Sequence, residues 1–180
     1  CHAGMMRALE ESGIKPKLFV TSSVGTTNTL LYGVGGVKAL EDLWLNVTTR
    51  DIYRKPFCKT LALHTRKALY DPSPFREMIK KVFDYRTLQA LPYDIIINAT
   101  GYTPGQHGAT SLSIKTLTEE ELQQFALASA SPPFFMPLVK FRGGLYGDAG
   151  VTNNFGIAQA LEAGCDTIIL LLPAKIGEPG

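Results

Sequence analysis

The sequence is poor in the residues that most often carry chemistry. It has three cysteines, three histidines and a single tryptophan. Cys1, Cys58 and Cys165 are scattered and odd in number, so they make neither a metal-ligand spacing nor a disulfide framework. That usage suits a reducing compartment. No apolar run approaches the roughly 20 residues that cross a bilayer as a helix. The longest, such as Thr167–Leu172, have the length of core strands. No internal repeat is visible. Charge is also nearly balanced, with a net charge of +2 and a pI near 8.4, too mild to imply a nucleic-acid partner.

What is present is apolar material, 45% of 180 residues, enough for one sizeable core and so for one domain over 1–180. The start at Cys1-His2-Ala3-Gly4 and the end just after an apparent strand read as a piece of a longer protein.

The stretch Lys17–Val34 organises the rest. A short β-type run, Leu18-Phe19-Val20, stops at Thr21-Ser22-Ser23-Val24-Gly25, and an apolar helical face with Leu30, Leu31 and Val34 follows. Strand, tight turn and helix place Ser23 at a helix N-terminus, where free N–H groups favour negative charge. Gly25 and the small residues around it are expected to let the helix approach the strand. The pattern is G-x-S-x-G with Thr21 in place of the first glycine. Such a serine is either an N-cap or a nucleophile.

Upstream, Met5, Met6 and Leu9 share a helical face. Gly35-Gly36 should end the elbow helix, and Val37–Val47 should begin another. From Arg50 to Lys81 nine Lys and Arg face three acids. Helices over 60–70 and 71–83 would carry that excess, either as solvated faces or as a surface for anionic lipid head groups. Asp94–Ala99 reads as a buried strand, turned back toward Ser111–Leu117. Thr118-x-x-Glu121 is a capping box for a helix over 119–130. Val139–Phe141 and Leu145–Tyr146 flank Gly143-Gly144 as a hairpin. A helix over 155–163 and a buried strand over Asp166–Leu172 complete the chain. The alternation predicts an α/β three-layer sandwich with a mostly parallel sheet.

A serine nucleophile needs a base. His2, His64 and His107 all precede the last third of the chain, which excludes the Ser, acid, His order of α/β-hydrolases. Asp148 is the lone acid between Leu122 and Leu161, held between Gly147 and Ala149-Gly150. It is either a turn cap or a base.

Taken together, three blocks resemble the patatin-like phospholipases, lipid acyl hydrolases with a Ser–Asp dyad. Ala3–Gly13 resembles that family's first helix, Val20–Thr29 its elbow, and Ala126–Asn154 the segment ending in D-G-[GA]. The resemblance implies Ser23 as nucleophile and Asp148 as base, with acyl-enzyme chemistry on a lipid or other acyl ester and no metal or nucleotide cofactor. On that implied mechanism Phe134, Phe135, Met136 and Leu138 either line an acyl-chain channel or simply pack the core. Thr21 and Ala149 stand where the family has glycine, Gly25 and Gly150 where it keeps glycine. The family's glycine-rich oxyanion loop would lie upstream of Cys1, leaving Val24 N–H as the oxyanion donor within this chain. By itself the chain should therefore turn over poorly. A non-catalytic lipid- or protein-binding relative, or an acyltransferase using the same dyad, are the alternatives. The basic 50–81 region would supply transient membrane-surface contact.

Overall fold

The computed structural model describes residues 2–66, 68–105 and 107–172. Cys1, Lys67 of the basic stretch and the last eight positions of the expected domain lie outside the described residues.

The first helix, α1 (His2–Glu11), buries Met6 against Leu31, Val37 and Leu40 of α2 (Val24–Asn46). Strand β1 (Leu18–Thr21) leads into α2, which is broken where expected: Gly35 and Gly36 leave helical geometry, and Gly36 has φ 65°. Only glycine adopts that angle without strain. Gly33 marks the closest approach of α2 to its neighbours, because a Cβ there would sit 2.8 Å from Leu91 and 3.0 Å from Leu88. Short helices α3 (Thr49–Ile52) and α4 (Lys59–Arg66) precede α5 (Ser73–Val82) and α6 (Tyr85–Gln89), the latter capped by Asp84. Strands β2 (Asp94–Gly101) and β3 (Gly108–Ser113) follow, then α7 (Glu119–Ser129), opened by the Thr118/Glu121 capping box. The hairpin β4 (Val139–Phe141) and β5 (Gly144–Gly147) turns through Arg142 and Gly143, both at positive φ as a two-residue primed turn requires. Arg142 Nε donates to Glu121 Oε1 at 2.7 Å, tying the hairpin to α7. That bond, with the cap from Thr118, lowers the Glu121 carboxyl to about 2. The last helix among the described residues is α8 (Ile157–Glu162).

Strand β2 is the hub. Its Ile95, Ile97 and Ala99 face a core with Leu30 of α2, Ile79 of α5, Leu88 of α6 and Phe125 of α7. Phe125 is fully buried, and truncating such a side chain to alanine typically costs about 3–5 kcal/mol. On the opposite face Asn98 and Thr100 are buried polar residues. The segment after β5 crosses that face. Gly156, at φ 62°, sits so close that a Cβ would lie 2.2 Å from Val20 Cγ1.

The pairing differs from a mostly parallel sheet. Only β1 with β2 is parallel; β3 with β2, β5 with β2, and β4 with β5 are antiparallel among the described residues. The β2–β3 and β4–β5 pairs are joined by short connections, which cannot carry a parallel crossover. Pairing with β3 occupies one edge of β2 from Ile96 to Gly101. Both β1, opposite Asp94–Ile97, and β5, opposite Thr100 and Gly101, must therefore share the other edge. They run in opposite directions along it, so their C-terminal ends meet head to head.

The expected strand over Asp166–Leu172 does not form. The stretch pairs with no described strand, and Ile168, Ile169 and Leu170 are exposed. Leu171 alone packs against the α1–α2 cluster. A branched apolar run encodes burial but not a partner strand, and no described strand pairs with it here. No helix among the described residues is long and apolar enough to cross a membrane.

Candidate active site

The head-to-head strand ends hold the two residues singled out by the sequence. Ser23 follows β1 and Asp148 follows β5, and Ser23 Oγ donates to Asp148 Oδ2 at 2.6 Å. Ser23 has φ 54° and ψ −132°, an unfavourable region for a residue with a Cβ. Such strain persists only where the surroundings over-determine it, and here they do so from both faces of the sheet.

On the helical face a chain of hydroxyls fixes the elbow. Thr21 Oγ1 donates to the Ile96 carbonyl at 3.2 Å, so in its 3.1 Å contact with Thr26 Oγ1 it accepts. Thr26, having donated its proton, accepts from Ser129 Oγ at 2.9 Å. Ser129 in turn accepts the Ser23 N–H at 3.1 Å. Every proton in this relay has one direction, ending on the sheet backbone. Thr21, at the family's glycine position, therefore fits under the elbow and anchors it. On the other face Ser22 Oγ donates to the Asn153 carbonyl at 2.9 Å and accepts from Asn98 Nδ2 at 3.2 Å. Ser111 Oγ closes that network by donating to Asn98 Oδ1 at 2.7 Å.

Asp148 is buried and equally fixed. Its N–H donates to the Ser131 carbonyl at 2.9 Å, and its carbonyl accepts from Thr100 Oγ1 at 2.8 Å. Gly150 N–H donates to Oδ1 at 2.8 Å, leaving Oδ2 turned to Ser23. Ala149 is fully buried and not at positive φ, so glycine is not needed there. Burial, then the Asp148 charge, raises the Tyr102 phenol above its usual range.

Val24 begins α2 beside Ser23, and its N–H makes no hydrogen bond among the described residues. Gly25 departs from expectation. A Cβ on it would meet nothing within 4 Å, so it contributes no close helix–strand approach; Gly33 does that instead. No described histidine bonds Ser23 or Asp148. His64 and His107 are exposed, while His2 Nδ1 accepts from Asn28 at 2.7 Å. No cluster of three His, Cys, Asp or Glu suited to a metal occurs among the described residues.

Beside Ser23 opens a mainly apolar cavity of about 340 Å³, whose walls include Val24, Thr27, Trp44, Val47, Ile52, Phe75, Met78, Pro132 and Met136. Of the four residues considered for an acyl channel, Met136 lines it. Phe134 and Phe135 are exposed outside it, and Leu138 packs near Gly147. Sequence reasoning did not single out Thr26, Ser129, Thr100 or the helical wall residues. Its one available signal was the pair Asn98 and Thr100, polar on one face of an apolar strand. Residues 1–161 match the family model described as Patatin-like phospholipase. No curated protein matches the chain.

Proposed function

The chain belongs to the patatin-like phospholipase family, and from that premise we propose that it hydrolyses acyl esters of lipids through Ser23 and Asp148. The 2.6 Å bond from Ser23 Oγ to Asp148 Oδ2, at the mouth of an apolar cavity, is the observation that carries this reading.

Asp148 Oδ2 takes the hydroxyl proton as Ser23 Oγ attacks the ester carbonyl carbon. The carbonyl oxygen becomes an oxyanion next to Val24 N–H and the positive end of α2. Collapse expels the alcohol, which leaves with the proton from Asp148, and Ser23 holds the acyl group. Water then attacks the acyl carbon, giving its proton to Asp148. The second collapse releases the fatty acid and returns the proton to Ser23. The acyl chain lies in the cavity between α2, α5 and the 130–136 segment. The backbone already presents Ser23 in its strained conformation, so orientation is not gained anew at each turnover.

The cavity rim supports docking at a lipid surface. Trp44 is exposed where it lines the cavity, and Phe134, at φ 68°, is 77% exposed beside half-exposed Phe135. Phe135 stacks on Tyr70, which stacks on Tyr53, with exposed Arg50, Arg54 and Lys55 next in the chain. Aromatic rings with neighbouring cations suit an anionic interface.

Ser23→Ala and Asp148→Asn in the full-length protein test the dyad. Each should lower kcat on a lipid ester by at least about 1000-fold, in the upper range for loss of a general base, with melting temperatures near wild type. Retention of most activity in either variant would contradict the assignment.

A further inference from the structure

Thr27 is the one buried side-chain polar group without a hydrogen-bond partner among the described residues. Its residue is only 2% exposed, yet it lines the apolar cavity together with Ser23. Buried hydroxyls are almost always bonded, and a helical threonine usually satisfies itself on the carbonyl one turn back. Thr27 does not. The hydroxyl protons of Thr21, Thr26 and Ser129 are all committed within the elbow relay, so none of them donates to it.

Position gives the hydroxyl a use. Thr27 lies four residues after Ser23, about 6 Å along the helix axis. Helical side chains tilt toward the N-terminus, which brings Thr27 back toward the nucleophile. An acyl group on Ser23 that enters the cavity therefore passes Thr27 within its first few carbons. The remaining walls, Trp44, Val47, Ile52, Met78 and Met136 among them, offer hydrocarbon and aromatic surface. A plain alkyl chain leaves the Thr27 hydroxyl buried and unbonded. A chain bearing oxygen near its carboxyl end satisfies it.

We propose that Thr27 is a specificity-determining residue that hydrogen-bonds an oxygen substituent near the carboxyl end of the acyl chain, so that the site prefers β-oxygenated acyl groups to plain ones. This rests on the cavity being the acyl site of the proposed hydrolase. The preference should be about tenfold, the scale of one buried hydrogen bond.

The test reads binding, not turnover. In the full-length Ser23→Ala protein, displacement of a fluorescent fatty acid is measured with decanoate and with β-hydroxydecanoate. The β-hydroxy acid should bind about tenfold more tightly. Adding Thr27→Val, which keeps the shape and removes the hydroxyl, should bring the two acids within about twofold, whereas Thr27→Ser should keep the preference. Equal affinities in the Ser23→Ala protein, a preference that survives Thr27→Val, or no binding of either acid would each overturn the proposal. Because no chemistry is read, inactivity of the wild-type protein on esters would count against the dyad and leave the binding result standing.

Discussion

At the residue scale the elbow rests on hydroxyl groups where its family uses an absence of side chain. Thr21 is 5% exposed and stands at the end of a one-way chain running from Ser23 N–H through Ser129 and Thr26 to the Ile96 carbonyl. Restoring the family's glycine should therefore harm this protein. Thr21→Gly leaves the Thr26 hydroxyl without its acceptor in a buried site, a loss of about 1–3 kcal/mol, and adds backbone freedom at a strand end. Urea unfolding should show that loss, and kcat should fall as Ser23 is held less firmly at φ 54°. Higher turnover with unchanged stability would refute the relay's role. Ser23 and Asp148 were legible as motif positions because each stands at a particular turn, and the structure brings the two side chains together. The hydroxyls around them were not. Threonine and serine acquire such roles only from tertiary neighbours more than 70 positions away, as the Thr21–Ile96 and Thr26–Ser129 bonds illustrate.

At the scale of elements, helix boundaries followed local chemistry: the glycine pair breaking α2, the capping box opening α7, and the turn residues of the β4–β5 hairpin. Strand direction did not. The apolar pattern of β5 is the same whichever way it runs, and its antiparallel approach is what brings Asp148 to Ser23. Likewise the run after Asp166 has strand composition but pairs with no described strand. Helix α1 carries a pH-dependent contact. Trp44 Nε1 donates to Asn28 Oδ1 at 2.8 Å, which orients the Asn28 amide to donate to the unprotonated Nδ1 of His2. Burial lowers the His2 pKa below its ordinary 6.5, partly opposed by a bond to the Leu171 carbonyl. Below pH 6.5 the unfolded chain thus binds more protons than the folded one, and stability falls with pH through that window. Above it this contribution is fully present. Melting temperature measured between pH 7 and pH 5 should drop, with a shallower slope in His2→Gln. Identical slopes would place the titration elsewhere.

At the scale of the whole molecule, Ser23 lies beside the apolar cavity, and exposed aromatic and basic residues adjoin its wall residues in the chain: Arg50 and Arg54 flank Ile52, and Phe134 and Phe135 lie between Pro132 and Met136. A modest net charge of +2 conceals the excess of cations over acids between Arg50 and Lys81. Binding to phosphatidylserine vesicles should weaken as salt rises and the Debye length shrinks from about 10 Å to about 3 Å between 0.1 M and 1 M. Reversing Arg50 and Arg54 to Glu should weaken it by at least about tenfold, given about 1 kcal/mol per surface cation, while turnover of a soluble short-chain ester stays near wild type. Salt-independent binding by both proteins would rule out this face.

The central claim, that Asp148 activates Ser23, is tested most directly by covalent labelling. A fluorophosphonate probe on the full-length protein should give one adduct, mapped to the peptide containing Ser23. The labelling rate should fall by at least about 100-fold in Asp148→Asn, since removal of a general base acts on the nucleophile itself. An adduct on another serine, or equal labelling rates in wild type and Asp148→Asn, would contradict the account.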